Sequence, residues 1–514
     1  MTNSKKSLAP HYHQRTKYDP NTIAAKNRSL DWDNQPSTNK KYRISLNVFE
    51  LKPYLSDNLD LSVDPDLNLR EWKRLSQLLF YSYGITAKIN TAYGEPIYLR
   101  SAPSAGGLYP AEVYLISRGT KILPPGLYNY QVPTHSLVHF WDSDVWQDLQ
   151  TACFDRLALA NTELAIAVTS VFYRSVWRYE DRAYRRILLD TGHLLGNIEL
   201  AGALNNYRPH AIGGFNDEAM NSLLYLDPEL EATLAIAAIA DLEDPEQDLP
   251  RSITALPSEI VTDYPAIPDG ELLSYFHRAS QIKSLKSPNS SVELNSEKGI
   301  EDKYNFPFCL KIATPTNPID WEENLFGLKR TILKRRSTRA YSGKNLTMAE
   351  LKALLHFTYQ SQDYVYQGLD DSPDYFDLSL IETFVAVSGV EDLEAGCYYY
   401  APEAEELRQV RFKNFRKELH FLCLGQNLGK DAAAIVFHTA DLEQAVRKYG
   451  DRAYRYLHLD AGHLGQRLNL AAIYLGLGVS GIGGFFDDLV NEVLGIPERE
   501  AVIYITTLGR PRSR

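Results

Sequence analysis

The chain has 514 residues, with 54 Lys plus Arg against 65 Asp plus Glu and a formal charge of −11. That length suggests two to four domains, each burying its own core. Hydrophobic residues at 44% and charged residues at 23% exclude global disorder, and the acidic balance excludes whole-molecule attraction to nucleic acid or anionic lipid. A local basic patch for a phosphate remains compatible with that balance. The four cysteines, Cys153, Cys309, Cys397 and Cys423, form no CxxC pair, so neither a metal site nor a disulfide framework is expected. The start is polar and Lys-rich without an apolar core, and the apolar stretch Leu468 to Phe486 is interrupted by five glycines. No signal peptide and no membrane span are expected, and the expected location is the cytoplasm.

Residues 1–60 read as a polar N-terminal extension. A helix over Trp72–Tyr83 opens a first domain, placed at 61–245. Arg100 then begins RSAPSAGGLYP, in which Pro103, Ser104, Ala105, Gly106 and Gly107 can form a tight loop. Glycine there lets another plane approach the backbone closely; a plain turn before a strand is the competing reading. Runs such as Val113–Ser117 and Leu164–Phe172 read as strands, a long helix follows from Asp181, and Thr233–Ala240 is a last strand. Residues 246–325 are rich in Pro, Ser and charge and read as a linker with a short helix near 270–279. A second domain is placed at 326–514. It carries Arg335-Arg336-Ser337-Thr338-Arg339, whose guanidiniums and hydroxyls could clamp a phosphate, although such clusters are more often solvated surface.

The two halves repeat one another. YEDRAYRRILLDTGHLLG from Tyr179 matches YGDRAYRYLHLDAGHLGQ from Tyr449, and IGGF recurs at Ile212 and Ile482. The offset is the same for both (449 − 179 = 482 − 212 = 270), and 17 of the 37 positions from Tyr179 to Phe215 are identical. The unit is therefore a duplicated domain. Hairpin-like strand pairs argue against a purely parallel sheet, so the expected class is α+β with a central mixed or antiparallel sheet flanked by helices. His193 and His463 recur in both copies, which favours a structural role. Lys448-Tyr449 of the second copy corresponds to Arg178-Tyr179 of the first.

These motifs resemble the flavin-dependent nitroreductase superfamily, and specifically its SagB/ThcOx-type branch of azoline dehydrogenases. PSAGGLYP, RRSTR, KYGDRAYRY and GIGGF carry the resemblance, over most of residues 10–245 and 326–514. It implies that the copies pack as an intramolecular pseudo-dimer with FMN at their interface. Arg335, Arg336, Ser337, Arg339, Gly483, Gly484 and Arg510 would come from the second copy, and Pro103, Ser104, Ala105 and Gly106 from the first. The complementary pair of segments is missing, so one working flavin site is expected, with the first copy degenerate for phosphate binding. The resemblance also implies Lys448 and Tyr449 as the catalytic pair. A partly desolvated lysine can act as a base, whereas arginine cannot.

The function expected first is FMN-dependent dehydrogenation of an azoline or related peptide-derived substrate, by hydride transfer to flavin N5. An NAD(P)H-fed reductase of nitro compounds or quinones is the alternative. A non-catalytic peptide-binding partner in a modification complex is the second. Cyclodehydratase proteins are the expected partners under the azoline reading.

Overall fold

The computed structural model describes residues 6–23, 29–42, 47–55, 67–90, 96–284 and 303–512. The Lys-rich start and the Ser-rich part of the expected linker, 285–302, lie outside the described residues. Two seven-stranded sheets form. The first runs Asn47–Glu50, Ser136–Trp141, Gly126–Gln131, Ala111–Ser117, Leu164–Val171, Glu231–Asp241, Tyr207–Ile212. The second repeats this order as Lys311–Ala313, Glu406–Arg411, Gly396–Ala401, Glu382–Val387, Ala434–Asp441, Glu500–Gly509, Gly478–Ile482. Neighbouring strands within each sheet are antiparallel. The class is α+β, built from two like domains.

The central strands are buried from end to end because helices cover both faces. Short helices at Trp146–Ala152 and Asp217–Leu223 pack Trp146, Leu149 and Met220 onto the outer face of the first sheet. On the inner faces lie the two long helices, Ala183–Ala203 and Ala453–Tyr474, and one apolar core runs from Val113 and Leu115 through both helices to Val385 and Val387.

The long helices cross at paired glycines. A Cβ on Gly192 would overlap the Leu459 carbonyl and come within 2.9 Å of Gly462 Cα, and Gly462 meets Leu189 in the same way. Glycine is required here for contact between backbones, not for conformational freedom. One turn on, His193 packs against Gly465, and His463 packs against Gly196. Gln466 Oε1 lies 2.9 Å from His193 Nδ1 and Tyr504 Oη 2.8 Å from Nε2, and burial lowers this imidazole to about 3. It is a neutral connector between the copies. The recurring histidines are thus structural.

The repeated arginines tie the copies reciprocally. Arg182 and Arg185 donate to Asp487 of the second copy at 2.8 and 2.6 Å. Arg452 and Arg455 donate to Asp217 of the first at 2.6 and 2.7 Å. All six side chains are buried, so each charge depends on its partners across the interface.

The segments expected as extension and linker belong to the repeat. Helix Leu8–Arg15 and helix Leu272–Ala279 sit in equivalent places. Ala9 N donates to Asp451 at 2.8 Å and Leu273 N to Asp181 at 2.9 Å. His13 Nδ1 meets Tyr454 Oη at 3.1 Å, and His277 Nδ1 meets Tyr184 Oη at 2.9 Å. The expected boundaries at 60 and 325 also separate the edge strands Asn47–Glu50 and Lys311–Ala313 from the sheets they complete.

Candidate functional site

Pseudo-two-fold packing makes two equivalent locations between the copies, and they differ. At the first, the strand Ile97–Arg100 ends and the 103–107 loop settles on the first long helix. Ser104 Oγ and Ala105 N donate to the Asp190 carboxylate at 2.6 and 3.0 Å, and Ser104 Oγ accepts from Tyr109 N at 2.9 Å. Burial pushes the Asp190 carboxyl up to about 7, against the pull of Ser104 and Ala105. Gly106 and Gly107 turn the chain with φ of +67° and +68°, a region that glycine enters without strain. Pro103 is half-buried and Gly106 is exposed.

Arg335 of the second copy crosses to this loop. Its Nε donates to Ser101 O at 2.5 Å and its Nη2 to Arg100 O at 3.0 Å. The side chain is only 3% exposed, its Nη1 is buried without an acceptor, and burial lowers it to about 10. A buried guanidinium facing no carboxylate among the described residues fits a group that brings its own negative charge. Arg336 is held by Thr86 Oγ1 and O at 3.0 and 2.7 Å, Ser337 is half-buried, and Arg339 is exposed.

Gly483 and Gly484 close the other side of this location. Gly483 O accepts from Arg186 Nη2 at 3.1 Å, and Tyr18 lies beside Gly484. Arg186 stacks on the Tyr179 ring at 3.7 Å. A Cβ on Gly106 would lie 2.5 Å from Tyr179 Oη and 3.5 Å from Arg178 Nη1, so this pair borders the loop of its own copy. Burial raises the Tyr179 phenol, partly opposed by Arg186 and Arg178. For Tyr18, burial is outweighed by Arg186 and Arg182, and its phenol falls below the ordinary value.

Arg510 is engaged elsewhere. It pairs with Glu350 at 2.8 Å, and its Nε donates to Asn345 O at 3.2 Å.

Lys448 and Tyr449 fall at the second location, which corrects their expected grouping with the arginine cluster. Lys448 Nζ and Tyr449 Oη both donate to Asp377, at 2.5 and 3.0 Å. Asp377 belongs to the counterpart of the 103–107 loop, where Phe376 N and Asp377 N donate to Asp460 at 2.9 and 2.8 Å. Protein fills this location. The Phe376 ring covers Gly213, and Leu256 covers Gly214. Thr254 O and Thr254 Oγ1 accept from Gly214 N and Gly213 N at 2.9 and 3.3 Å, and Ser258 N donates to Tyr449 O at 3.1 Å. The expected linker is therefore a strap over the second location, and Gly213, Gly214 and Tyr449 are buried where Gly483, Gly484 and Tyr179 are half-buried.

Arg335 thus reaches the backbone just before the 103–107 loop, and Tyr179 and Arg186 lead from that loop to Gly483. Tyr18, Arg178, Tyr179, Arg186 and Asp190 also lie here; the repeat set Arg178-Tyr179 against Lys448-Tyr449, but none of the five was expected at this location. Superposing the repeats would have flagged Arg186, since its counterpart at the 270 offset is Tyr456 (456 − 186).

Several known proteins resemble this chain. The crystal structure of a candidate nitroreductase from Anabaena variabilis is 65% identical, superposes with a TM-score of 0.93, and covers 99% of this chain and 100% of that one. A candidate nitroreductase of Methanocaldococcus jannaschii is 33% identical over 171 residues, 33% of this chain and 85% of that protein. The microcin B17-processing protein McbC of Escherichia coli is 25% identical over 28% of this chain, and the trifolitoxin-processing protein TfxB of Rhizobium leguminosarum bv. trifolii 30% over 31%. The matches span 55% and 44% of those two proteins. No helix among the described residues is long and apolar enough to cross a membrane. The Nitroreductase family profile matches residues 85–240 and 332–510, one segment in each copy, and the chain belongs to that family of oxidoreductases.

Proposed function

We propose that the protein is an FMN-dependent oxidoreductase holding one flavin, at the location bordered by the 103–107 loop, Arg335 and Gly483–Gly484. The observation that carries this reading is Arg335, buried between the copies with one N–H lacking an acceptor. Arg335 and Ser337, with the exposed Arg339, would receive the phosphate. Gly106, Gly483 and Gly484 would let a flat ring approach the backbone once the side chains now against them, Tyr179, Arg186 and Leu424, turn aside. When bound, flavin supplies two-electron hydride chemistry, and the chain supplies orientation and proton traffic.

The proton-bearing groups here are Tyr179 and Tyr18, because Lys448 is held by Asp377 at the filled location. Without a lysine base, the arrangement best supports a reductase cycle fed by a reduced nicotinamide. Tyr179 would protonate the acceptor as hydride arrives. Azoline oxidation is the second reading, favoured by the similarity to McbC and TfxB. Under it Tyr18, whose phenol lies below its ordinary value, would take the substrate proton as phenolate, and a cyclodehydratase would supply the ring.

Two measurements test this. Flavin extracted from purified protein should be FMN at one per chain; a ratio near two, or FAD, overturns the one-site reading. Rapid mixing should bleach the flavin with NADPH. Bleaching by an azoline peptide alone would establish the second reading, and bleaching by neither would favour a non-catalytic partner.

A further inference from the structure

The two pseudo-equivalent locations carry different charge. Lys448 of the filled location is neutralised by Asp377 at 2.5 Å, and Tyr456 stands over Gly213. The first location has Arg178 for Lys448, Gly107 for Asp377 and Arg186 for Tyr456, each at the 270 offset (448 − 178, 377 − 107, 456 − 186). Two cations therefore replace a neutral set.

Arg186 is 6% exposed, and it meets no carboxylate among the described residues. The equally buried Arg182, Arg185, Arg452, Arg455 and Arg467 all do. Its Nη1 has no acceptor, while Nη2 is used by Gly483 O and the guanidinium also meets the Tyr18 phenol, which it holds below its ordinary value. A desolvated guanidinium with a free N–H is costly unless an anion completes it.

Arg186 and Arg178 also share one ring. Their guanidinium carbons lie 3.7 and 5.6 Å from the Tyr179 centroid, and Arg178 lies 5.9 Å from the ring of Trp32, which is itself 59% exposed. The series Trp32, Arg178, Tyr179, Arg186 leads from solvent inward. Arginine forks match carboxylates bidentately, and the alternating rings suit a flat substrate body.

We propose that this location selects substrates that carry a carboxylate on a flat ring, with Arg186 receiving the carboxylate at depth and Arg178 at the entrance. The proposal rests on the flavin reading only for the cofactor to which that substrate is brought.

Benzoate and its neutral isostere benzamide are suitable probes. Purified protein with excess FMN is titrated with each by calorimetry, and retained flavin is read separately by absorbance after dialysis. Benzoate should bind at least about tenfold more tightly than benzamide. Arg186→Gln and Arg178→Gln should each reduce that preference about tenfold, as expected for losing a charge-assisted contact. Arg186→Lys should restore it only in part, because an ammonium lacks the fork. Arg178 is exposed, so its variant remains informative if Arg186→Gln fails to fold.

Equal affinity for both probes, no binding of either, or a preference surviving both substitutions overturns the proposal. Loss of flavin from Arg186→Gln with the preference intact would assign that guanidinium to the cofactor and also overturn it. A parent protein that retains no flavin but still prefers benzoate would overturn the flavin reading and leave the carboxylate site standing.

Discussion

Gly192→Ala should destabilise the protein by about 3 kcal/mol or more, although alanine is the better helix former by about 1 kcal/mol. Position 192 lies inside the helix Ala183–Ala203, so propensity alone predicts a gain. The opposite sign comes from the crossing. The added methyl would overlap the Leu459 carbonyl and approach Gly462 Cα, and neither is a side-chain tip that can rotate away. The two long helices must separate, loosening the reciprocal ion pairs of Asp217 and Asp487 at both ends. Gly462→Ala should behave alike, and the double variant should cost less than the sum, because one separation accommodates both methyls. Denaturant unfolding of the three variants measures this. A Gly192→Ala protein as stable as the parent would show that the crossing is wider than described.

The duplication was legible because the central helices are buried nearly all round, which fixes Asp, Gly and His at the crossing in both copies. The extension and linker were not recognised as part of the repeat for a definite reason. Their offset is 264 (277 − 13), six residues short of the 270 that aligns the helices, and only Leu8/Leu272 and His13/His277 are identical within the helix pair. What they share is contact chemistry: a backbone N–H on the aspartate just before each central helix and a histidine on a partner tyrosine. The division of the RRSTR and PSAG segments between the copies was readable as complementary loss. Which location the residue pair before each long helix faces was not readable. RRSTR reaches across to the other copy through Arg335, whereas Arg178-Tyr179 turns back to its own loop at Gly106. Lys448-Tyr449 obeys the same rule and ends at Asp377. The role of 251–258 as a strap has no sequence signature, because it depends on backbone bonds from Thr254 to Gly213 and Gly214.

Arg335→Ala and Lys448→Ala should therefore behave oppositely. Arg335 offers a phosphate a desolvated, charge-assisted contact worth about 1.5–3 kcal/mol, so its loss should weaken FMN binding by roughly 10–150-fold. The substitution also removes the bonds to Ser101 O and Arg100 O that hold the arginine cluster against the 103–107 loop. Apoprotein titrated with FMN reads that loss directly. Lys448 belongs to a partly exposed ion pair with Asp377, and such pairs contribute about 0–1 kcal/mol. Lys448→Ala should keep its flavin, its fold and its rate of flavin reduction within about twofold of the parent. Tyr179→Phe supplies the complementary arm: flavin retained, but acceptor turnover reduced about 10²–10⁴-fold if its phenol moves the proton. The pattern across the three variants distinguishes the two locations. A folded, yellow Lys448→Ala protein that has lost turnover, beside an unaffected Tyr179→Phe, would place the chemistry with Asp377 and overturn the assignment to the location bordered by Gly106.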